Sequence, residues 1–431
     1  MNYVPVELIE VRAWGATVGA LAFDGRVPTF EYDPAWVRGQ IELSPLLMPN
    51  RNRTRIYRFP TLNPDTYHGL PPLLADSLPD RFGNALIDAW MARQGVNPAA
   101  ITALDRLAYL GNRGMGALEF VPDTAHTQRV PTALELGELV IAARRAVTGQ
   151  LAHGDEEAEA ALRGIIQVGT SAGGARAKAV VHVHPDTGEL RSGQLPLPDG
   201  FEAWLLKFDG MGQDSELGTS GGYGRIEYAY SLMAREAGID LPETRLLEEH
   251  GRAHFMVRRF DRPEPGRKVQ FQSLCGLAAL DYNLVATHDY AQLFSAIEAL
   301  GLGEDAKQQA FRRMAFNVAA TNCDDHTKNH AFVLTEDGHW GLAPAYDITY
   351  AYNPVGKWTS QHLMSVNGKF RDITVTDFLA MADQFQIPGA RAILRQVDAA
   401  VADWPRFAAE AGVAEETMVQ IQREHQSVAA R

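Results

Sequence analysis

Thr321-Asn322-Cys323-Asp324-Asp325-His326-Thr327-Lys328-Asn329-His330, with Ala343-Pro344-Ala345-Tyr346-Asp347 behind it, is the stretch on which the fold turns. Four carboxylate or carboxamide groups, two imidazoles and an ammonium crowd into ten residues, more than a solvated face needs. Asp324 and Asn329 stand five apart. After His330, the apolar run Ala331-Phe332-Val333-Leu334, the turn Glu336-Asp337-Gly338-His339 and the strand Trp340-Gly341-Leu342 predict a β-hairpin. Such a hairpin returns Asp347 to the Asp324–Asn329 loop, placing a carboxylate, a carboxamide and a second carboxylate together. An isolated Asp-Asp-His is more often a helix cap or a surface cluster, so its meaning depends on what lies upstream.

The chain of 431 residues is long enough for two or three modules. Its composition, 46% apolar and 22% charged, is that of a soluble globular protein. No apolar run approaches the ~20 residues needed to span a bilayer. The opening Met1-Asn2-Tyr3-Val4-Pro5 carries no basic or apolar leader, which points away from secretion. Cys275 and Cys323 are too far apart for a metal-spaced pair, and a reducing cytoplasm suits them. A net charge of -13 disfavours tight DNA binding by the chain alone, though not contact through a partner.

Upstream, residues 6–33 alternate as strands of a small antiparallel sheet. Helices are predicted over Asp80–Gln94, Ala99–Leu110 and Thr132–Thr148, with a strand at Ala117–Pro122. The loop Gly169-Thr170-Ser171-Ala172-Gly173-Gly174 lies between apolar strand-like runs, with Arg176 and Lys178 beside it. Its small residues let backbone N–H groups approach an anion, although the spacing is neither a Walker loop nor a dinucleotide fingerprint. Next, Ala203-Trp204-Leu205-Leu206-Lys207-Phe208 sets one lysine in an apolar strand. Lysine is seldom buried without a counter-charge, and Glu227, near the start of a helix expected over Arg225–Gly238, is the natural one. Strands follow around 246–249, 253–261 and 269–271, and from Leu274 onward the chain reads as mostly helical.

Glycine-rich loop, strand lysine, helix glutamate, strand hinge, D-x-x-x-x-N and a later aspartate: this order resembles that of the protein kinases. The H-R-D, D-F-G and A-P-E strings are absent, so the likeness is not to the eukaryotic type. The specific strings resemble instead the HipA family, serine/threonine kinase toxins of bacterial toxin–antitoxin modules. They are Ala75–Asp80, Gly114-Met115-Gly116-Ala117-Leu118, Gly169–Lys178, Trp204–Phe208, Arg259-Phe260-Asp261-Arg262, Asn322–His330 and Leu342–Asp347. They span nearly the whole chain.

The resemblance implies an α+β, bilobal protein-kinase-like fold. Its parts would be an N-terminal module over 1–125, a kinase N-lobe over 126–262 and a helical C-lobe over 263–431. It implies Asp324 as catalytic base, Asn329 and Asp347 as magnesium ligands, and Lys207, with Glu227 as its helix partner, on the phosphates of ATP. Gly169, Thr170, Ser171, Ala172, Gly173, Gly174 and Lys178 would bind the nucleotide with His326, and Arg258–Phe260 would form the adenine hinge. The family often has Glu where this chain has Arg258; a hinge binds through backbone, so the change touches local electrostatics. Ser171 falls at the family's regulatory autophosphorylated serine. The partners implied are a HipB-like DNA-binding antitoxin and a translation protein such as an aminoacyl-tRNA synthetase, with DNA reached only through the antitoxin.

Two other readings remain open from the residues. A metal-dependent hydrolase would use Asp324, Asp325, His326, His330 and Asp347 as ligands, but leaves Lys207 and the glycine-rich loop without a task. A scaffold that binds nucleotide and antitoxin without catalysis would not need Lys207, Asp324, Asn329 and Asp347 together.

Overall fold

Strict alternation builds the first sheet. In Leu8–Ala13 the side chains of Ile9, Val11 and Ala13 are buried, while Glu10 and Arg12 between them are partly exposed, the period-two pattern of a strand with one face on a core. Trp14 and Gly15, both at positive φ, form the two-residue turn into Ala16–Ala22. The antiparallel sheet runs Ile56–Tyr57, Thr29–Tyr32, Ala16–Ala22, Leu8–Ala13, Leu118–Val121. The computed structural model describes residues 3–50, 55–79, 81–124, 138–139, 176–209, 213–214, 218–219 and 221–430. The expected helix 132–148 and the loop Gly169–Ala175 fall almost wholly outside them.

Helix Arg81–Arg93 forms where apolar periodicity predicts it. The helix expected from Ala99 begins at Ala103 instead. Asn97 caps a separate 3-10 turn at Pro98–Ala100, and a capping box between Thr102 and Asp105 then restarts the chain as an α-helix.

A second antiparallel sheet runs Thr244–Glu249, Arg252–Arg258, Glu202–Lys207, Lys178–Val183, Leu190–Ser192. Ala179, Val181, Val183, Trp204 and Leu206 project from one face into a core shared with Phe82 and Leu86 of helix Arg81–Arg93. Alternation therefore sends Lys178 and Lys207, paired across the two strands, to the other face.

The rest of the chain is helical around a large core containing Tyr230, Tyr290, Phe294, Phe311, Phe316 and Trp404. The hairpin Ala331–Leu334/Trp340–Leu342 interrupts it as expected, and Gln270–Ser273 adds a third strand. Helix Tyr223–Glu236 packs into this core while lying against the strand Arg252–Arg258.

The N-terminal sheet is fastened to this body. Cys275 and Leu334 belong to its core. Asp76 accepts hydrogen bonds from the Ser273 N–H at 2.6 Å and the Ser273 hydroxyl at 2.7 Å. Asp261, fully buried, accepts from Arg259 (2.9 and 2.8 Å), Arg262 (2.9 Å) and the Gly116 N–H (2.9 Å). Arg262 also donates to the carbonyls of Gly114 and Gly116, at 2.9 and 2.7 Å.

Candidate active site

Lys207 ends the strand Glu202–Lys207, and its ammonium donates to two carboxylates, Glu227 Oε1 and Asp347 Oδ1, each at 2.5 Å. Glu227 arrives from helix Tyr223–Glu236 and Asp347 from the segment after the hairpin. Burial alone would pull the Lys207 ammonium down, but the two carboxylates outweigh it and its pKa is raised. Burial likewise pushes Asp347 up, and Lys207 with Lys178 holds it below the usual carboxylate range. Glu227 Oε2 also meets Arg176 at 3.5 Å, and the Arg176 guanidinium lies over the Tyr223 ring.

Asp347 adopts a left-handed backbone, φ +52, as does Thr321, φ +53, at the entrance to the Asp324–Asn329 loop. Such conformations cost a non-glycine residue of order 1–3 kcal/mol and persist where the surroundings fix them. Here one brings the Asp347 carboxylate to Lys207 and the other turns the chain out of helix Glu304–Ala319.

Asp324 keeps 39% of its side-chain surface open. Trp358 donates its indole N–H to Asp324 Oδ1 at 2.7 Å, and His326 Nε2 stands 3.7 Å from the same oxygen. Its pKa is raised by partial burial, against the opposing pull of His326 and the Trp358 hydrogen bond. Water reaching the open third of the side chain moderates that shift. The Asn329 amide donates to the Asp324 carbonyl at 2.7 Å. This spends the nitrogen of the carboxamide internally and leaves its oxygen as the group suited to a hard cation.

Asp325, unassigned from sequence, is an anchor. It is buried and accepts from the Tyr290 hydroxyl (2.9 Å), His362 Nδ1 (3.0 Å) and the Leu363 N–H (2.7 Å). Burial pushes Asp325 up, but these partners, His362 foremost, hold it below its ordinary value. His362 is correspondingly raised well above the ordinary histidine value, Cys323 and Asp325 overcoming its burial. His330 is also buried, against the Tyr290 ring, and burial lowers it to about 4. The five ligands of the hydrolase reading thus do not converge. Among the described residues no three His, Cys, Asp or Glu side chains form a metal cage.

His326 lies between Tyr282 and Trp358, with ring centroids 5.3 and 6.0 Å away. Phe260 joins Phe271 and Tyr346 in an aromatic cluster one residue from Asp347. Arg258 stands opposite Trp204 in register, so its side chain lies on the sheet face away from Lys207 and pairs with Glu202 and Glu243. The hinge expected over Arg258–Phe260 would use its backbone. Gly169, Thr170, Ser171, Ala172, Gly173 and Gly174 lie outside the described residues.

Sequence reasoning missed Trp358, His362 and Tyr290. A lone tryptophan in the segment Asn353–Gln361, which has no other aromatic, was the one usable signal.

Two lysines on one sheet face, a partly exposed carboxylate and a carboxamide–carboxylate pair form a donor set suited to a nucleotide's phosphates and a divalent cation. Lys178 and Lys207 would meet the phosphates. Asn329 and Asp347 would hold the cation, whose chemistry is to neutralise charge on the transferred group.

The fold and site define a two-lobed α+β protein with a lysine–glutamate pair, a later aspartate on the same lysine and a D-x-x-x-x-N loop. Residues 170–404 match the HipA-like C-terminal domain and residues 9–121 the HipA N-terminal domain; the chain belongs to the HipA family. In architecture it is similar to HipA in the Shewanella oneidensis complex of HipA, HipB and operator DNA. The TM-score is 0.66 over 96% of this chain and 95% of that one, at 17% identity. A Haemophilus influenzae protein entitled "Putative kinase" is 27% identical over 135 residues, 28% of this chain. The match spans 39% of that relative's length.

Proposed function

We propose that this protein is an ATP- and magnesium-dependent protein serine/threonine kinase acting as the growth-inhibiting toxin of a toxin–antitoxin pair. The observation that carries this reading is the convergence of Lys207, Glu227 and Asp347 within 2.5 Å contacts, facing a catalytic loop that presents Asp324 and Asn329. Phosphoryl transfer asks for alignment and charge neutralisation more than for covalent chemistry. As the acceptor oxygen bonds to the γ-phosphorus, its proton passes to the Asp324 carboxylate and the bridging oxygen leaves with ADP. Lys207, fixed by Glu227, positions the donor phosphates.

The HipB-like antitoxin as partner, with DNA contacted through it, is supported by family membership and by the assembly in which the Shewanella protein was solved. A translation protein such as an aminoacyl-tRNA synthetase is the target class we favour from the family resemblance, with action in the cytoplasm. Ser171 is the autophosphorylation site in this reading. Phosphate there would add about -1.5 to -2 charge to a loop that holds ATP's own phosphates, expelling it and switching the enzyme off.

Intact mass after incubation with ATP and magnesium, beside Asp324→Ala, tests the reading. A phosphate mapped to Ser171 in the wild type and missing in the variant is the expected result. Nucleotide binding without transfer to itself or to a panel of translation proteins would replace the kinase by a nucleotide-binding scaffold.

A further inference from the structure

We propose that Trp358 is the positioning residue of the catalytic base, holding the Asp324 carboxylate in its reactive orientation from a segment downstream of Asp347. The proposal rests on the kinase reading and adds to it a residue outside the motif set.

Three consecutive residues of the catalytic loop bind one and the same segment, Ala351–Leu363. The Cys323 N–H donates to the Ala351 carbonyl at 2.9 Å, and the Ala351 N–H to the Thr321 carbonyl at 3.3 Å. At the other end Asp325 takes His362 Nδ1 and the Leu363 N–H. Between these anchors the Asn353 N–H closes onto the Thr359 carbonyl at 3.2 Å, which brings Trp358 over the residue in the middle, Asp324. The indole then donates to Oδ1 at 2.7 Å. His326, the neighbouring polar group of the loop, stands farther from the same oxygen, at 3.7 Å.

The choice of donor fits the task. Asp325 is surrounded by an imidazole, a hydroxyl and a backbone N–H, and is thereby fixed in its ionised form. A carboxylate that must accept a proton needs its orientation held without its charge being neutralised. A neutral indole N–H does this, because it binds one oxygen and leaves the other for the acceptor hydroxyl. The indole also packs against His326, so one side chain touches both Asp324 and His326.

Trp358→Phe keeps the ring and removes the donor; Trp358→His restores an N–H on a smaller ring. Steady-state phosphorylation of a protein acceptor, nucleotide affinity and melting temperature are compared for the full chain and both variants. For Trp358→Phe we expect kcat to fall about tenfold to a hundredfold, with KM for ATP unchanged within about twofold and partial recovery of kcat in Trp358→His. Wild-type kcat in Trp358→Phe would overturn the proposal, as would equal losses in the two variants at unchanged melting temperature. Losses that track melting temperature and affect KM and kcat alike would make Trp358 structural and also overturn it. A wild type that transfers no phosphate would instead overturn the kinase reading.

Discussion

Lys178 and Lys207 stand directly opposite each other in antiparallel register, both buried, on one face of the second sheet. Like charges in that relation destabilise a sheet. They are tolerated here because Glu227 comes from a helix of the C-terminal core and Asp347 from beyond the hairpin to meet Lys207. The charge on this sheet face is thus balanced by a helix that follows the strand and by a residue 140 positions further along the chain.

Removing Lys207 leaves Glu227 and Asp347 enclosed without their shared cation. For Lys207→Met we expect a loss of about 3–5 kcal/mol of stability, the usual cost of breaking a buried pair by deleting one partner. Binding of ATP should be lost with it. Urea denaturation and titration with a fluorescent nucleotide measure the two effects separately.

Asp324 and Asp347 should fail in different ways. Asp324→Asn is expected to bind ATP normally and to lose phosphoryl transfer by about 10²–10⁴-fold, the range of a positioned general base. Asp347→Asn should lose the dependence of nucleotide affinity on magnesium. Calorimetric titration with and without magnesium, beside a transfer assay, distinguishes them.

Gly224 offers a test of how Glu227 is placed. A Cβ there would lie 1.9 Å from the Ala253 carbonyl oxygen, so the helix can approach the strand this closely only without a side chain. Gly224→Ala should push helix Tyr223–Glu236 outward, cost about 1–3 kcal/mol, and weaken nucleotide binding by drawing Glu227 from Lys207. Thermal melts with and without ATP report both.

Acid should loosen the joint between the N-terminal module and the body. Burial opposes the charge on Asp261, but Arg259 and Arg262 bring its pKa down from 3.8 to about 2. A lowered folded-state pKa stabilises above the unfolded value and ceases to do so as pH falls through the folded one. This carboxylate should thus add about 2 kcal/mol above pH 5, lost progressively between about pH 5 and pH 2. In Asp261→Asn that part of the acid dependence should vanish while stability at neutral pH drops, as unfolding midpoints across pH would show.

Residues in local patterns are legible in the sequence. Lys207 announces itself as the one charge in an apolar strand, Glu227 follows near the start of the next helix, and Asp324 and Asn329 share one turn. The hairpin predicts that Asp347 comes back. Trp358 and His362 reach Asp324 and Asp325 from 34 and 37 residues downstream, along a segment with no periodicity to read. The direction of the Arg258 side chain is equally hidden, since it depends on strand register.

What the sequence determined by itself is the order of the chemistry, because strand alternation, helix periodicity and turn composition act over a few residues and can be read from them. The tertiary structure alone decided which groups finally touch. Asp325 became an anchor instead of a ligand, His330 was turned into the core, and Asp76 and Asp261 became the fastenings of the N-terminal module. Those outcomes follow from burial, which requires every enclosed carboxylate to find donors, wherever in the chain those donors lie.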